Sequence, residues 1–287
     1  MATIAFLGTG LLGAALAEAA AARGDRVTAW NRTAAKADAL RSFNITTAAT
    51  AADAVRGVER VHLVLRDDES VESVIAAARP GLGADTIICD HTTTQPALTA
   101  ERSARLNASG VKYLHCPVFI GPAAARQGQG IIMAAGPKPH FDAVQAGLAG
   151  MAQRLEYFGE RPDLAAVYKL FGNAFIIGIA GTMADVLSIA KGRQVTADDA
   201  LKLLDFFNPG NVVAGRGRQM AKGDFTPSFE LVMARKDVRL MMESVGDLPL
   251  AVLPGIAARM DALIAEGEGT RDAAVLAKDA VEREGDS

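Results

Sequence analysis

The chain has 287 residues, half of them hydrophobic and 22% charged, with a formal net charge of −3. That length suffices for one large or two medium domains, each with its own core, and the near-balanced charge gives no reason to expect nucleic acid or an anionic membrane surface as partner. Two cysteines, Cys89 and Cys116, without metal-ligand spacing, fit a reducing, cytoplasmic setting with no disulfide framework and no metal site.

The opening MATIAFLGTG has no basic segment ahead of its apolar run, so it reads as a first strand, Thr3–Leu7, rather than a signal peptide. A helical stretch Leu12–Arg23 follows, then strand patterns at Arg26–Trp30, Arg60–Leu65, Thr86–Asp90, Val111–Leu114 and Ile131–Ala135. Strands alternating with alanine-rich helices predict an α/β fold with a doubly wound parallel sheet covered on both faces. Pro162 and Asp163 then open one long helix reaching about Lys191. At 1.5 Å per residue it is about 40 Å long, enough to link two domains.

No strand pattern follows. Shorter helices are punctuated by Asn208-Pro209-Gly210, Thr226-Pro227 and Asp247-Leu248-Pro249, and Thr196 heads one with Asp198 and Asp199 in its first turn. Met233, Met241 and Met242 are expected to fill the helical core, and Glu282–Ser287 to fray. The most apolar stretch, Ala174–Ala184, falls short of the roughly 20 residues that span a bilayer, which predicts a soluble protein with no membrane partner.

Gly8-Thr9-Gly10-Leu11-Leu12-Gly13 matches G-x-G-x-x-G directly after the first strand and at the start of a helix. Glycines so placed permit a tight turn, close approach of a pyrophosphate and helix-on-strand packing, with the helix's free N–H groups holding the phosphates. The expected architecture is therefore a Rossmann cofactor domain over residues 1–162, followed by an all-helical domain over 163–287. At the end of the second strand, where an NAD enzyme places an acid, the chain reads Trp30-Asn31-Arg32-Thr33, with Lys36 a turn later. Arg32 can pair with a 2′-phosphate and Thr33 can add a hydroxyl, which favours NADP over NAD; a solvated surface arginine is the plainer alternative. Leu65-Arg66-Asp67-Asp68 and Asp90-His91-Thr92-Thr93-Thr94 follow later strands and should rim the same crevice, although a threonine run can equally well satisfy backbone groups.

These pieces, in this order and over nearly the whole chain, resemble the β-hydroxyacid dehydrogenase family, which includes 3-hydroxyisobutyrate dehydrogenases and relates to 6-phosphogluconate dehydrogenase. Beside the glycine motif, Asp90-His91-Thr92-Thr93-Thr94-Gln95-Pro96 stands where the family has D-x-S-T-x-x-P, and the resemblance places Thr93 near the nicotinamide. Lys169 and Asn173 match the family's lysine and asparagine on the interdomain helix. Lys236-Asp237-Val238 matches its K-D-[LV] step, whose lysine lies close to cofactor and substrate; by local sequence alone a solvated charge run is as good a reading. One signature is broken. Where relatives carry D-A-P-V-S-G-G, binding the substrate carboxylate through the serine and following amides, this chain has His115-Cys116-Pro117-Val118-Phe119-Ile120-Gly121. Phe119 replaces the hydroxyl donor, and Ile120 removes backbone freedom, so an apolar or bulkier carbonyl compound is expected at Phe119, Ile120 and Gly121.

Residues four apart share a helix face, so Lys169 and Asn173 are expected to point into the cleft together. An ammonium at a carbonyl oxygen stabilises the developing charge and donates the proton; the neutral amine serves the reverse direction, and burial lowers the pKa toward that range. Its neighbours Val167, Tyr168, Leu170 and Phe171 suggest a mostly buried helix in which a lysine needs a reason. His91 and His115 read as packed or solvated, and Cys116 as a small buried hydrophobe. The leading expectation is an NADP(H)-dependent dehydrogenase or reductase acting on a small-molecule alcohol or carbonyl. The alternatives are imine reduction, whose enzymes resemble this family but typically place aspartate or tyrosine where Lys169 stands, and a non-catalytic dinucleotide-binding module. The resemblance further implies a homodimer or homotetramer.

Overall fold

The computed structural model describes residues 1–281, so the expected fraying of Glu282–Ser287 lies outside the described residues. Six strands, β1 (Thr3–Leu7), β2 (Arg26–Trp30), β3 (Thr46–Thr47), β4 (Arg60–Leu63), β5 (Ile87–Asp90) and β6 (Lys112–His115), form one sheet in the order β3-β2-β1-β4-β5-β6. Every pair in it is parallel. The helices α1 (Leu11–Ala22), α2 (Ala34–Asp38), α3 (Ala51–Ala54), α4 (Asp68–Ala78) and α5 (Pro96–Ala108) lie in the crossovers. The order reverses between β1 and β4, which leaves a crevice at the carboxyl ends of those two strands.

Alternation along β1 sorts its side chains onto two faces. Ile4 and Phe6 join the core shared with α1, whereas Ala5 and Leu7 join the one shared with α3 and α4. Both faces are apolar because helices cover both, as the alternating sequence pattern requires.

A second, three-stranded sheet was outside the expectation of a purely parallel sheet. It comprises β7 (Val118–Phe119), β8 (Ile131–Ala134) and β9 (Arg154–Tyr157), with β7 antiparallel to β8, and helices α6 (Pro122–Arg126) and α7 (Lys138–Ala149) interleave it. A two-residue strand such as β3 or β7 has no periodicity to read, and β9, with sequence Arg-Leu-Glu-Tyr, has only partly buried inward positions.

Helix α8 (Leu164–Gly192) matches the expected long helix within a residue at each end. Contacts divide the chain into Met1–Asn173 and Ala174–Ser287, so the division falls inside α8. Two expectations about this helix are corrected. It is one uninterrupted element of 29 residues, long and apolar enough to cross a bilayer by length and composition. Nor is it mostly buried: Phe175, Ile176 and Ile177 are 55–71% exposed in the single chain. Composition signalled an apolar helix; it did not say that much of its apolar surface stays outside the chain's own core.

In the second unit, α9 (Ala197–Leu201), α10 (Pro209–Ala221), α11 (Leu231–Glu243), α12 (Leu253–Ala265) and α13 (Lys278–Val281) follow, with no strand among the described residues. Thr196 caps α9, its hydroxyl accepting the Asp199 N–H. Asp272 organises the small core: its buried carboxylate accepts N–H groups of Ser228, Phe229 and Ala274. Met260, with Met220 and Met242 at the margin, packs in that core, but Met233 and Met241 are exposed, which corrects their expected role.

Candidate active site

The turn from β1 into α1 shows three glycines with three different duties. Gly8 sits at φ +99°, and a Cβ there would lie 2.3 Å from the Val64 carbonyl oxygen. A Cβ on Gly13 would lie 2.1 Å from the Gly8 carbonyl oxygen, so it is required where the helix meets the turn. Gly10 is the opposite case: a Cβ there would meet nothing within 4 Å, so no packing demands glycine at this position. Its bareness opens the backbone to a ligand. Gly10 is also the N-cap of α1 and supplies no side-chain cap, and α1 has no acid in its first turn. The N–H groups at this helix start are free to bind an anion.

A cavity of about 640 Å³ opens over this turn. Gly8, Gly10, Leu11, Leu12 and Gly13 form its floor; Asn31, Arg32, Thr33, Lys36 and Leu65 line one end, and Thr93, Ile120 and Lys169 also line it. Asn31 ties the rim together: its Oδ1 accepts the Thr9 N–H at 3.1 Å and its Nδ2 donates to the Thr33 carbonyl at 3.0 Å. Arg32 and Lys36 are exposed, with no ion pair among the described residues. Thr9, Phe119, Gly121 and Asn173 do not line the cavity. Thr9 is buried beneath the turn, Gly121 caps α6 in the open, and Phe119 sits behind the wall. Asn173 lies one turn, about 6 Å, further along α8 than Lys169.

The threonine run divides its labour. Thr92 accepts the Leu65 N–H through Oγ1 at 3.1 Å, and Thr94 pairs with Thr99 at 2.7 Å, both structural roles. Thr93 alone is exposed, and it lines the cavity.

Lys169 is half-buried, and its Nζ donates to the Val118 carbonyl at 2.7 Å while standing 4.2 Å from the centre of the Phe119 ring. Burial pulls its pKa below the ordinary lysine value. Lys236 lies on α11 in the second unit, its Nζ 2.7 Å from Asp237 Oδ1.

Two features escaped the sequence reading. Ser70 and Ser73 of α4 line the cavity, and the rule that strand carboxyl ends rim the crevice points to the helix after β4. The other is the partner of His91, which lines the cavity as its segment was expected to: its Nε2 pairs with Nδ1 of His62 at 2.9 Å. The Cys116 carbonyl, 2.7 Å from His91 Nδ1, can only accept, so His91 carries its proton on Nδ1 and His62 donates to Nε2. That arrangement belongs to neutral rings, the form that complete burial favours. Burial depresses His91 to about 4, holds His62 well below its usual value, and lowers His115 as well. No local pattern marks His62, which pairs with His91 only through sheet register. Cys89 and Cys116 are free thiols, both buried, and among the described residues no group of three His, Cys, Asp or Glu is placed to hold a metal.

The strand order, the crevice and the bare Gly10 turn together define a Rossmann-type dinucleotide-binding protein. Residues 3–159 match the family model described as the NAD binding domain of 6-phosphogluconate dehydrogenase. Glyoxylate/succinic semialdehyde reductase 1 of Arabidopsis thaliana is 27% identical, over 90% of each chain. The 3-sulfolactaldehyde reductase of Escherichia coli is 24% identical, over 90% of this chain and 88% of that one. Among solved structures, a reductive aminase from Aspergillus terreus in complex with NADPH and ethyl levulinate superposes with TM-score 0.88 at 22% identity, over 98% of this chain and 99% of that one, a likeness of fold. The chain belongs to the 6-phosphogluconate dehydrogenase-related, β-hydroxyacid dehydrogenase family of NAD(P)-dependent oxidoreductases.

Proposed function

We propose that this protein is an NADP(H)-dependent reductase of small carbonyl compounds that uses Lys169 as its acid. The observation that carries this reading is the Lys169 amine, which lines the dinucleotide cavity and whose pKa burial has already lowered. When bound, the reduced nicotinamide supplies a hydride to the carbonyl carbon. The Lys169 ammonium stabilises the charge growing on the carbonyl oxygen and passes it a proton, leaving an alcohol and a neutral amine. In the oxidative direction that amine takes the hydroxyl proton. Arg32, Thr33 and Lys36 support NADP over NAD, since they offer cations and a hydroxyl, and no carboxylate, at the end of β2. The two reductases named above act on aldehydes by name, which supports the same substrate class.

A second reading is reduction of an imine, favoured by the apolar residues Phe119 and Ile120 beside the lysine. The retained lysine makes carbonyl reduction the main activity. The exposed apolar surface of α8 supports a homodimer or homotetramer, because a monomer rarely leaves so large an apolar face in water. A cytoplasmic location accords with the two free cysteines.

The test is NADPH consumption by the purified protein with aldehydes, ketones, α- and β-keto acids and a cyclic imine. Turnover of carbonyl compounds, lost about 100-fold or more in Lys169→Ala while NADPH affinity holds, is the expected outcome. Undiminished turnover in that variant refutes the role of the lysine. Silence across the panel with tight NADPH binding would leave a non-catalytic module.

A further inference from the structure

Phe119 does more than replace a hydroxyl. Its side chain packs against the small cluster of Met133, Ala135 and Ala165, and its ring lies against Gly172 of α8, where a Cβ would come within 2.1 Å of Cζ. The ring is thus fixed on both sides. Its face lies 4.2 Å from Lys169 Nζ, and the preceding carbonyl, that of Val118, accepts from the same nitrogen. Two adjacent residues of β7 therefore set the position of the amine. Of the three N–H donors of an ammonium, one is held by Val118 and the ring face takes the side of another, which leaves one for a substrate.

The same arrangement selects among substrates. Around the amine the cavity presents Val118 and Ile120, with a ring behind them and a carbonyl oxygen already at hand. A carboxylate placed there would meet the apolar Val118 and Ile120 and the like-signed dipole of the Val118 carbonyl, beside an amine already needed as the acid. A neutral carbonyl oxygen needs one donor, and one is available.

We propose that Phe119 is a positioning and specificity-determining residue: its ring clamps the Lys169 ammonium against the Val118 carbonyl and confines the site to uncharged carbonyl compounds. This rests on the reading of Lys169 as the acid, and it is tested by one measurement that needs no turnover and another that does.

The first follows the Lys169 side chain by NMR in protein labelled at lysine, titrated in wild type, Phe119→Leu and Phe119→Ser. A ring face favours the charged form, so both variants should titrate about 0.5–1 pH unit lower. The second compares kcat/KM for a ketone and for its counterpart bearing a carboxylate. Phe119→Ser should move that ratio toward the carboxylate by about 10-fold or more, chiefly through KM. An unchanged titration in Phe119→Leu and Phe119→Ser overturns the clamp. An unchanged substrate ratio in Phe119→Ser overturns the selection. If wild type reduces nothing, the carbonyl-reductase reading falls, and the titration still decides whether the ring holds the amine.

Discussion

The ring of Phe119 fills the space that any side chain at position 172 would need: a Cβ on Gly172 would stand 2.1 Å from its Cζ and 2.7 Å from Cε1. Gly172→Ala should therefore destabilise the protein by about 1–3 kcal/mol, through overpacking against a ring held from behind. In a Phe119→Ala background the clash is gone, and the same change should be neutral or stabilise by about 0.5–1 kcal/mol, the helix-interior preference for alanine. Urea denaturation of the two single variants and the double variant measures the coupling. Additive effects would show that the two residues do not compete for space.

The glycines of the first turn should separate binding from folding. Gly10→Ala meets open space and has ordinary backbone angles, so stability should stay within about 0.5 kcal/mol while dinucleotide affinity falls. Gly13→Ala drives a methyl into the Gly8 carbonyl and should lower the melting temperature as well. Fluorescence titration with NADPH alongside thermal melts distinguishes them; a Gly10→Ala protein that binds normally would remove the pyrophosphate from this turn.

Arg32→Asp should shift cofactor preference toward NADH. It deletes a charge-assisted partner for a 2′-phosphate, a loss of about 1.5–3 kcal/mol or roughly 10- to 100-fold, and adds repulsion. The ratio of kcat/KM for NADPH and NADH in wild type and variant is the measurement. Wild-type preference for NADH would overturn the reading of the Asn31-Arg32-Thr33 segment.

Acid should destabilise the protein well before its carboxylates protonate. His91 titrates near 4 when folded and near 6.5 when unfolded, so between those values the unfolded chain binds a proton that the folded one refuses. Stability is complete above pH 6.5 and is lost as pH falls toward 4, by about 3 kcal/mol from this one side chain. His62 and His115 are shifted in the same direction and add to the loss. Urea midpoints between pH 7 and 4 test this, and His91→Asn should flatten the curve. A wild-type stability flat across that range would mean that the His62–His91 pair is not buried neutral.

Much of this was legible in the sequence because it rests on local periodicity. Residues Thr3–Leu7 and Arg26–Trp30 form strands over their predicted spans, the first a nearly continuous apolar run and the second an alternating one, each bounded by turn signals, and α8 begins directly after Asp163. The glycine motif marked the turn, and Arg32 and Lys36 stand beside it as expected. Less legible was everything that depends on residues far apart. Phe119 was visible as an anomaly in a motif; that its ring would lodge against Gly172 and face Lys169 follows from β7 meeting α8.

The sequence by itself determined the parallel sheet, the anion-ready first turn and a lysine on one long apolar helix. These follow from side-chain period and glycine freedom, properties of a residue and its near neighbours. Tertiary structure alone decided which of the marked residues meet. It set Lys169 at the cavity and left Asn173 outside it, joined His62 to His91, and left the apolar surface of α8 uncovered. Those outcomes are fixed by the packing of strand on helix over long sequence separations, where a few ångströms of rise or a single ring decide contact and no local pattern records the result.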